Sequence, residues 1–400
     1  MKRIPVAIIG AGPYGLSLAA HLAGRNIEHR IFGTPMRFWG NIAAAGSRRF
    51  LKSYCFGMNL SAPKLGFAFA DYNGPRGLET FEPCSIGNFA DYGQWFQQNN
   101  VSWVEPVDVV SVRQEGDGFA LKLADEAQLV ASNVVLATGL SGFADMPSAL
   151  GTLPSGLCTH TANVTSFESF RGQAVAVVGG GQSALEAVAL LHEAGARPQL
   201  LVRDEAVHWH TQVKQERSLW RRIRSPITGL GTGPKAWALT KFPGGMHRLP
   251  GLWRTQFVRS HLGAEGAWWL RDRVENIVPI HCSTSVVTAA EQGSRVALRV
   301  RQDRTGSERR IEVDHVIAGT GFVVDVERMC LLEPRLRARI QRLEAAPRLN
   351  SAFESSVPGL HMIGPTSAMS FGPLYRFVVG AEYAAETVAM HLAKNGMRAA

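Results

Sequence analysis

Two stretches of the chain repeat one pattern of apolar, small and helix-forming residues. A continuous apolar run at residues 4–9 leads into a glycine-rich turn and then into an alanine- and leucine-rich stretch up to about Gly24. The same order returns from residue 174 and continues to about Ala194. A short apolar run followed by helical periodicity is typical of a buried parallel strand and its following helix. The pattern therefore predicts an α/β protein with two Rossmann-like strand–turn–helix units.

Alternation of apolar and polar residues predicts most of the other elements. The remaining predicted strands lie within residues 101–124, 129–140, 198–202, 295–301, 309–317 and 359–364. The remaining predicted helices are residues 85–99, 323–350 and 373–395. Residues 204–280 fit neither unit, because they combine repeated Gly and Pro breaks with six of the nine tryptophans. We call residues 204–280 the insert.

Composition limits the class of protein. The 400 residues are 46% hydrophobic and 19% charged, as in globular chains, and the longest apolar stretches are about six residues. A membrane-spanning helix needs about 20, and no signal-peptide pattern follows Met1. The five cysteines include no C-x-x-C pair, which argues against a disulfide framework, a zinc site and a dithiol redox centre. We therefore expect a cytoplasmic protein with no bound metal and no membrane-spanning segment.

The positive charge is concentrated in one block. The chain has a net charge of +9, and residues 204–260 contain ten Lys or Arg against three acidic residues, a local excess of +7. Three interpretations of this basic, tryptophan-rich block stay open: an ordinary surface, a lid over a substrate site, and peripheral contact with an anionic membrane. No nucleic-acid-binding motif accompanies the charge, so we expect no nucleic-acid partner.

The first glycine-rich turn has the G-x-G-x-x-G spacing of a dinucleotide fingerprint. This spacing makes a tight turn, exposes bare backbone to a pyrophosphate and presents that anion to unpaired helix N-terminal amides. The spacing predicts a dinucleotide held by Gly10, Gly12, Pro13 and Gly15.

The acid that usually binds the ribose is missing from the first unit. No Asp or Glu occurs from His29 to Ala70, and Gly33 stands where the acid is expected. Thr34 or backbone groups are left to hold the ribose. Arg37 is a candidate for the pyrophosphate, although a solvated basic loop explains it equally well.

The second fingerprint ends in alanine, a variant that the same geometry permits. Its predicted cofactor-binding residues are Gly179 and Gly181, and Ala184 closes it. Arg203 follows the next strand, where a guanidinium favours the ribose phosphate of NADPH. The neighbouring Asp204 keeps NADH open as the alternative.

The two fingerprints, an Ala-Thr-Gly at 137–139 and a Gly-Thr-Gly-Phe at 319–322 together resemble the class B flavin monooxygenases. That group of two-dinucleotide-binding-domain flavoproteins includes flavin-containing, N-hydroxylating and Baeyer-Villiger monooxygenases. The resemblance covers nearly the whole chain and implies FAD in the first unit and NADPH in the second. It implies a discontinuous FAD-binding domain at 1–150 and 285–400, and an NADPH-binding domain with the insert at 151–284. The further cofactor-binding residues that it implies are Thr138, Gly139, Gln182, Ser183, Thr320, Gly321, Gly364 and Phe371.

The resemblance also implies candidate catalytic residues. Lys52 and Asn59 lie in segments similar to those that face the flavin in the family. His160 matches the histidine of the family's linker signature, in which two of four positions agree here. A structural hydrogen-bonding role for His160 stays open. The departures from the signature argue against a Baeyer-Villiger enzyme and an animal-type flavin-containing monooxygenase.

The expected function is an NADPH- and FAD-dependent monooxygenase that uses O2 to hydroxylate a small substrate, most plausibly an amine, through a flavin C4a hydroperoxide. One alternative is an NAD(P)H dehydrogenase that passes electrons to a quinone or carrier. A second is a non-catalytic nucleotide-binding protein. The absence of C-x-x-C disfavours a disulfide reductase, and the sequence predicts no oligomeric state.

Overall fold

A computed structural model describes residues 3–46, 48–77, 82–213, 217–261 and 263–399. The strands in this part of the chain are β1 Arg3–Ile9, β2 His29–Phe32, β3 Val109–Glu115, β4 Gly118–Leu123, β5 Gln128–Leu136, β6 Cys158–His160, β7 Ala174–Val178, β8 Arg197–Leu201, β9 His208–Trp209, β10 Ile227–Thr228, β11 Gly231–Thr232, β12 Glu265–Gly266, β13 Ile280–His281, β14 Thr284–Gln292, β15 Arg295–Gln302, β16 Glu308–Val313, β17 His315–Ala318, β18 Arg342–Leu343, β19 Ala346–Pro347 and β20 Leu360–Met362. The α-helices are α1 Pro13–Ala23, α2 Arg37–Ala44, α3 Phe69–Asn73, α4 Ile86–Asn100, α5 Gln182–Glu193, α6 Leu219–Arg224, α7 Pro234–Lys241, α8 Gly251–Ser260, α9 Arg271–Val274, α10 Pro334–Arg337, α11 Ala368–Phe371 and α12 Ala381–Ala399.

The first module is built on a sheet with the strand order β2-β1-β5-β4-β3, in which β20 also pairs with β5. β1 runs parallel to β2 and to β5, and β3, β4 and β5 form an antiparallel meander. The apolar run of β1 is almost wholly buried, as is α1, whose small residues pack closely against α12. The C-terminal part of the chain thus completes the module that the N-terminal part begins.

The second module repeats this plan. Its sheet has the order β13-β8-β7-β17-β6, with every pair parallel, and β14, β15 and β16 form an antiparallel meander beside it. α5 follows β7 as α1 follows β1. The two-module α/β fold with a discontinuous first module, predicted from the sequence, is confirmed.

The boundary between the second module and the end of the first differs from the sequence-based one at 284/285. β17 lies between β7 and β6, and residues of β15 to β17 share a buried core with Cys158, Ala176 and Leu201. Strand pairing therefore moves the boundary to about residue 320. The meander of β14 to β16 is the counterpart of β3 to β5, and local alternation gave no sign of which sheet it joins.

Two predicted helices differ from the observed structure. Residues 323–350 contain a 3₁₀ turn at Val326–Arg328, the short α10 and the hairpin of β18 and β19 rather than one helix, because Pro334 and Pro347 interrupt the segment. The final helix begins at Ala381 rather than at Pro373, which opens a short 3₁₀ turn. High charge in the first segment reflects its surface position.

The insert crosses from the second module to the first. β9 and β12 pair beside α5, whereas α8 packs on α11 in the C-terminal part of the first module. There Arg254 donates to the carbonyl oxygen of Ser370 (2.9 Å), and Tyr375 donates to that of Pro243 (3.1 Å). Lys214 and Glu216, two charged residues of the basic block, lie outside the described residues. Among the helices that the structure describes, none combines the length and the apolar character needed to cross a bilayer.

Candidate functional site

The first glycine turn forms a close-packed cradle at the end of β1. Gly10 has φ +110°, and a Cβ there would lie within 3.0 Å of the Ala137 carbonyl oxygen. A Cβ on Gly15 would meet the carbonyl oxygen of Gly10 just as closely. Gly12 caps α1 without a side-chain hydrogen bond, and no other segment of the described residues comes within 4 Å of its Cβ position. Two glycines therefore allow the turn, and the third leaves bare backbone open at the helix N-terminus.

The C-terminal segment forms the rim of this first cradle. The Ile363 amide donates to the Leu136 carbonyl oxygen (3.0 Å), which brings Gly364 beside the end of β5. Gly364 packs on the Tyr14 ring, and the Tyr14 hydroxyl lies 2.7 Å from the Phe377 carbonyl oxygen. Burial raises the pKa of Tyr14 well above its usual value, so the hydroxyl keeps its proton. Thr138 and Gly139, which directly follow β5, lie at the same edge of the sheet.

Arg37 and Thr34 lie where the ribose-binding acid is missing. The Arg37 guanidinium donates to the Thr34 hydroxyl (2.8 Å) and pairs with Asp108 (2.7 Å). Gly33 has φ +113°, a conformation that side chains rarely adopt. The positive φ at Gly33 disfavours any side chain at this position, which explains why no acidic residue occurs there.

The second cradle has the same geometry. Gly179 has φ +134°, and its Cβ position lies within 3.0 Å of the Gly319 carbonyl oxygen. Gly181 caps α5, and the only atom near its Cβ position is the Ala264 methyl carbon at 4.0 Å. Gln182, the first residue of α5, accepts the Ala267 amide proton through Oε1 (2.8 Å). Its buried Nε2 has no hydrogen-bond partner within the described residues.

Arg203 lies beyond β8 at the margin of the second cradle. Val202, its neighbour, packs against Gly180 of the glycine turn. The Arg203 side chain is exposed, and its charge helps to lower the pKa of Asp303, after the hydrogen bonds of Ser285 and Arg301. A guanidinium is therefore present at the predicted position and is open to solvent.

Lys52 joins the two modules. Its ammonium donates to the Glu265 carbonyl oxygen (3.0 Å) and lies 3.9 Å from the Glu265 carboxylate, which also pairs with His210. β12, which contains Glu265, leads to Ala267 and so to Gln182 of the second cradle. Burial lowers the pKa of Lys52, and the Glu265 charge opposes this. We call this contact region the junction.

Asn59 lies on the same loop as Lys52. Its Oδ1 accepts the Phe69 amide proton (2.9 Å), so its amide nitrogen is the group left for a ligand. The following residues are held on α1, since the Ser61 amide donates to the Ser17 hydroxyl (3.0 Å). The insert covers this loop, because the backbones of Gly57 and Gly229 leave no room for a Cβ on either residue.

His160 lies at the linkers between the modules. Its Nε2 donates to the Gly321 carbonyl oxygen (3.0 Å), and its Nδ1 accepts the Ala162 amide proton (3.1 Å). The Thr320 hydroxyl bonds to the backbone of Asp145 in the other linker. Burial lowers the pKa of His160, so the ring is neutral at pH 7. Because both ring nitrogens bond to backbone groups, His160 differs from the expected catalytic residue and holds the linkers in place.

Phe371 lies in the core with both faces of its ring covered. Its ring is 1% exposed and stacks between Phe353 (3.8 Å between centroids) and His247 (4.5 Å). Neither face of the ring is left for a flavin. Any cofactor contact of Phe371 is therefore left to its backbone, and its cofactor-binding role stays a prediction; the helix that should begin beside it begins ten residues later, at Ala381.

Two polar contacts were missed by the sequence analysis. Arg49 and Glu186 form a buried ion pair between the modules (2.8 Å), with both side chains less than 10% exposed. The thiols of Cys55 and Cys84 hydrogen-bond to each other, which lowers the pKa of Cys55 and raises that of Cys84. Both pairs are distant in sequence, so no spacing motif reveals them.

Comparison with known proteins agrees with the two-module fold. The family model described as pyridine nucleotide-disulphide oxidoreductase matches residues 7–228. An FAD-dependent urate hydroxylase from Xanthomonas campestris pv. campestris is 27% identical over 217 residues, which cover 50% of this chain and 46% of that protein. The match thus spans less than half the length of that curated relative.

Solved structures match nearly the whole chain. An ornithine N-hydroxylase from Kutzneria sp. 744, described with reduced FAD, NADP+ and L-ornithine, has a TM-score of 0.76 at 17% identity, covering 99% of this chain and 100% of its own. The reduced ornithine hydroxylase of Pseudomonas aeruginosa has a TM-score of 0.80 at 18% identity, and the match covers 98% of this chain and 99% of that one. A bacillithiol disulfide reductase from Staphylococcus aureus has a TM-score of 0.65 at 17% identity, and the match covers 99% of both chains. At these identities the likeness shows a shared fold.

Proposed function

Because this chain belongs to the pyridine nucleotide-disulphide oxidoreductase family, we propose that it is an FAD- and NADPH-dependent monooxygenase that transfers one oxygen atom of O2 to an amine nitrogen of a small substrate. The observation that carries the proposal is the pair of glycine cradles on either side of one polar junction. The ornithine N-hydroxylase and the ornithine hydroxylase, with TM-scores of 0.76 and 0.80, support the same activity.

The residues of the first cradle fit the pyrophosphate of FAD. The open space at Gly12 and the absence of a side-chain cap on α1 suit an anion, which would bond to the first-turn amides. Gly10 and Gly15 would allow its approach, and Pro13 costs the helix no hydrogen bond at this position. Arg37 would supply positive charge near the ribose and pyrophosphate. Gly364 and residues 137–139 would lie along the cofactor at the rim.

The residues of the second cradle fit NADPH. The unpartnered, buried Nε2 of Gln182 needs an acceptor, which a nucleotide phosphate or carboxamide would supply. Gly181 and Ser183 would contribute at the start of α5. Arg203 would bind the ribose phosphate that distinguishes NADPH from NADH.

When bound, the two cofactors supply hydride transfer and the activation of O2. The chain's own residues would bind and orient the cofactors and the substrate, and they would exclude water. Lys52 and Asn59 would donate hydrogen bonds to the substrate at the junction, and the insert would limit access of water to the loop that carries them. His160, Thr320 and Gly321 would fix the angle between the modules through the linkers.

A second candidate function rests on the contact between Cys55 and Cys84. Two thiols in contact on the loops near Lys52 make a dithiol centre conceivable without a C-x-x-C motif. In that case NADPH would reduce a disulfide substrate through this pair. The family description and the bacillithiol disulfide reductase structure are compatible with this alternative.

The test is a product balance on the purified protein reconstituted with FAD. We expect aliphatic primary amines to accelerate NADPH oxidation in air, with O2 consumed and hydroxylamine formed in amounts equal to the NADPH oxidised. Without O2, oxidation should stop. Sustained anaerobic oxidation with a quinone would identify a dehydrogenase instead, and reduction of a disulfide substrate that a Cys84→Ser variant abolishes would identify the dithiol activity. A protein that binds neither cofactor would overturn the proposal.

A further inference from the structure

Three potential metal ligands converge outside the cofactor cradles. Glu354 precedes β20, His361 lies in β20 and His391 lies in α12. One ligand atom from each side chain lies within 4.8 Å of the other two. The cluster joins the last strand of the first sheet to the C-terminal helix.

His361 is set up as a ligand. It is fully buried, and its Nδ1 lies 3.1 Å from the Ala352 carbonyl oxygen, to which it donates a proton. This bond leaves the lone pair on Nε2, which has no hydrogen-bond partner within the described residues. A neutral imidazole held by a backbone carbonyl is the usual arrangement of a metal-binding histidine.

The other two side chains are also held by outer partners. Glu354 accepts hydrogen bonds from the Asn350 side chain (2.9 Å) and the Gly359 amide (2.8 Å). His391 contacts the Asn395 side-chain amide through Nε2 (3.0 Å). Such partners orient the ligands before a metal arrives, which raises affinity.

We propose that Glu354, His361 and His391 bind one zinc ion, with water as the fourth ligand. Two imidazole nitrogens and one carboxylate suit zinc, whereas magnesium and calcium prefer oxygen ligands. Ligands about 2.0–2.1 Å from a tetrahedral ion lie about 3.3–3.5 Å apart. Small side-chain rotations would close the present 4.8 Å.

The ion would tie α12 to β20 and to the loop that precedes it. β20 leads directly to Gly364 at the rim of the first cradle, so the tie would stiffen the strand next to that site. The inference is independent of the proposed oxidoreductase activity. It differs from the expectation of no metal, because the ligands are seven and thirty residues apart and match no short spacing motif.

The test uses untagged, full-length protein, stripped with chelator and dialysed against zinc sulfate. We expect one zinc per chain and a rise in Tm of roughly 3–5 °C at a hundredfold excess over Kd. Cobalt in place of zinc should give visible absorption bands of a tetrahedral ion. Magnesium should neither bind stoichiometrically nor raise the Tm.

The variants His391→Gln and Glu354→Gln should each weaken zinc binding at least a hundredfold and abolish the Tm rise. His192→Gln, on an exposed position of α5, is the matched control and should leave both unchanged. Circular dichroism of the stripped variants checks that they fold. Absence of stoichiometric zinc, or binding that survives both substitutions, would overturn the proposal.

Discussion

The two glycine cradles make the same turn with opposite assignments of two small residues. In the first module the helix carries Gly15, and the strand end that faces it carries Ala137. In the second module the helix carries Ala184, and the facing strand end carries Gly319, whose Cβ position is 2.5 Å from the Ala184 methyl carbon. In the second module one methyl group fits between helix and strand, whereas in the first a methyl group on Gly15 would collide with the carbonyl oxygen of Gly10 and would only touch the Ala137 methyl carbon, at 3.5 Å. The comparison teaches that the space at the third position differs between the modules: the Gly10 carbonyl oxygen fills it in the first, and the absence of a side chain on Gly319 leaves it to alanine in the second.

The largest effect should come from alanine at the first glycine of each turn. In Gly10→Ala the new Cβ meets a carbonyl oxygen at a backbone angle that alanine rarely adopts, so we expect purified protein to retain less than a tenth of its FAD. Gly179→Ala should keep FAD and lose NADPH-dependent reduction at least a hundredfold. Flavin absorbance and anaerobic reduction rates measure these outcomes.

Gly12→Ala provides the control for these variants. Because nothing lies near its Cβ position, the fold should keep its Tm while FAD binding weakens. If Gly10→Ala and Gly179→Ala exchanged their effects, the assignment of one cofactor to each module would be wrong.

Changing which of residues 184 and 319 carries the methyl group should have an intermediate effect, on the free energy of unfolding. Gly319→Ala places a second methyl group against Ala184 and should lower the free energy of unfolding by about 1–3 kcal/mol. Ala184→Gly alone should cost about 1 kcal/mol through helix propensity. We expect the double variant to be more stable than the sum of the single changes predicts, by at least about 0.5 kcal/mol. Urea titration measures all three, and strict additivity would show that the two positions do not share space.

Structure that depends on local contacts could be predicted from the sequence, whereas structure that depends on contacts between distant segments could not. β1, α1, β7 and α5 were predicted within a few residues, because buried strands and glycine turns leave a local pattern. The place of β17 in the second sheet could not be predicted, since it depends on pairing with β6 and β7.

The candidate site shows the same limit. The glycines of both fingerprints lie in the cradles that their spacing predicted. The stacking of Phe371 between two rings, the buried pair of Arg49 with Glu186 and the contact of Cys55 with Cys84 all join segments that are far apart in sequence. Hydrophobic periodicity along the chain does not reveal such contacts, because each residue fits the pattern of its own segment.

The smallest effect should come from the position where the modules differ most in charge. Gly33 and Thr34 follow the second strand of the first module, whereas Val202 and Arg203 occupy the corresponding places in the second. Since Arg203 is exposed, its bond to a ribose phosphate is worth about 1–1.4 kcal/mol, so Arg203→Ala should raise the KM for NADPH about tenfold and leave that for NADH unchanged. Arg197→Ala, an exposed arginine at the start of β8, is the matched control and should change neither constant. Steady-state kinetics with both coenzymes decide the matter, and an equal rise for both would mean that Arg203 acts on the strand end rather than on the phosphate.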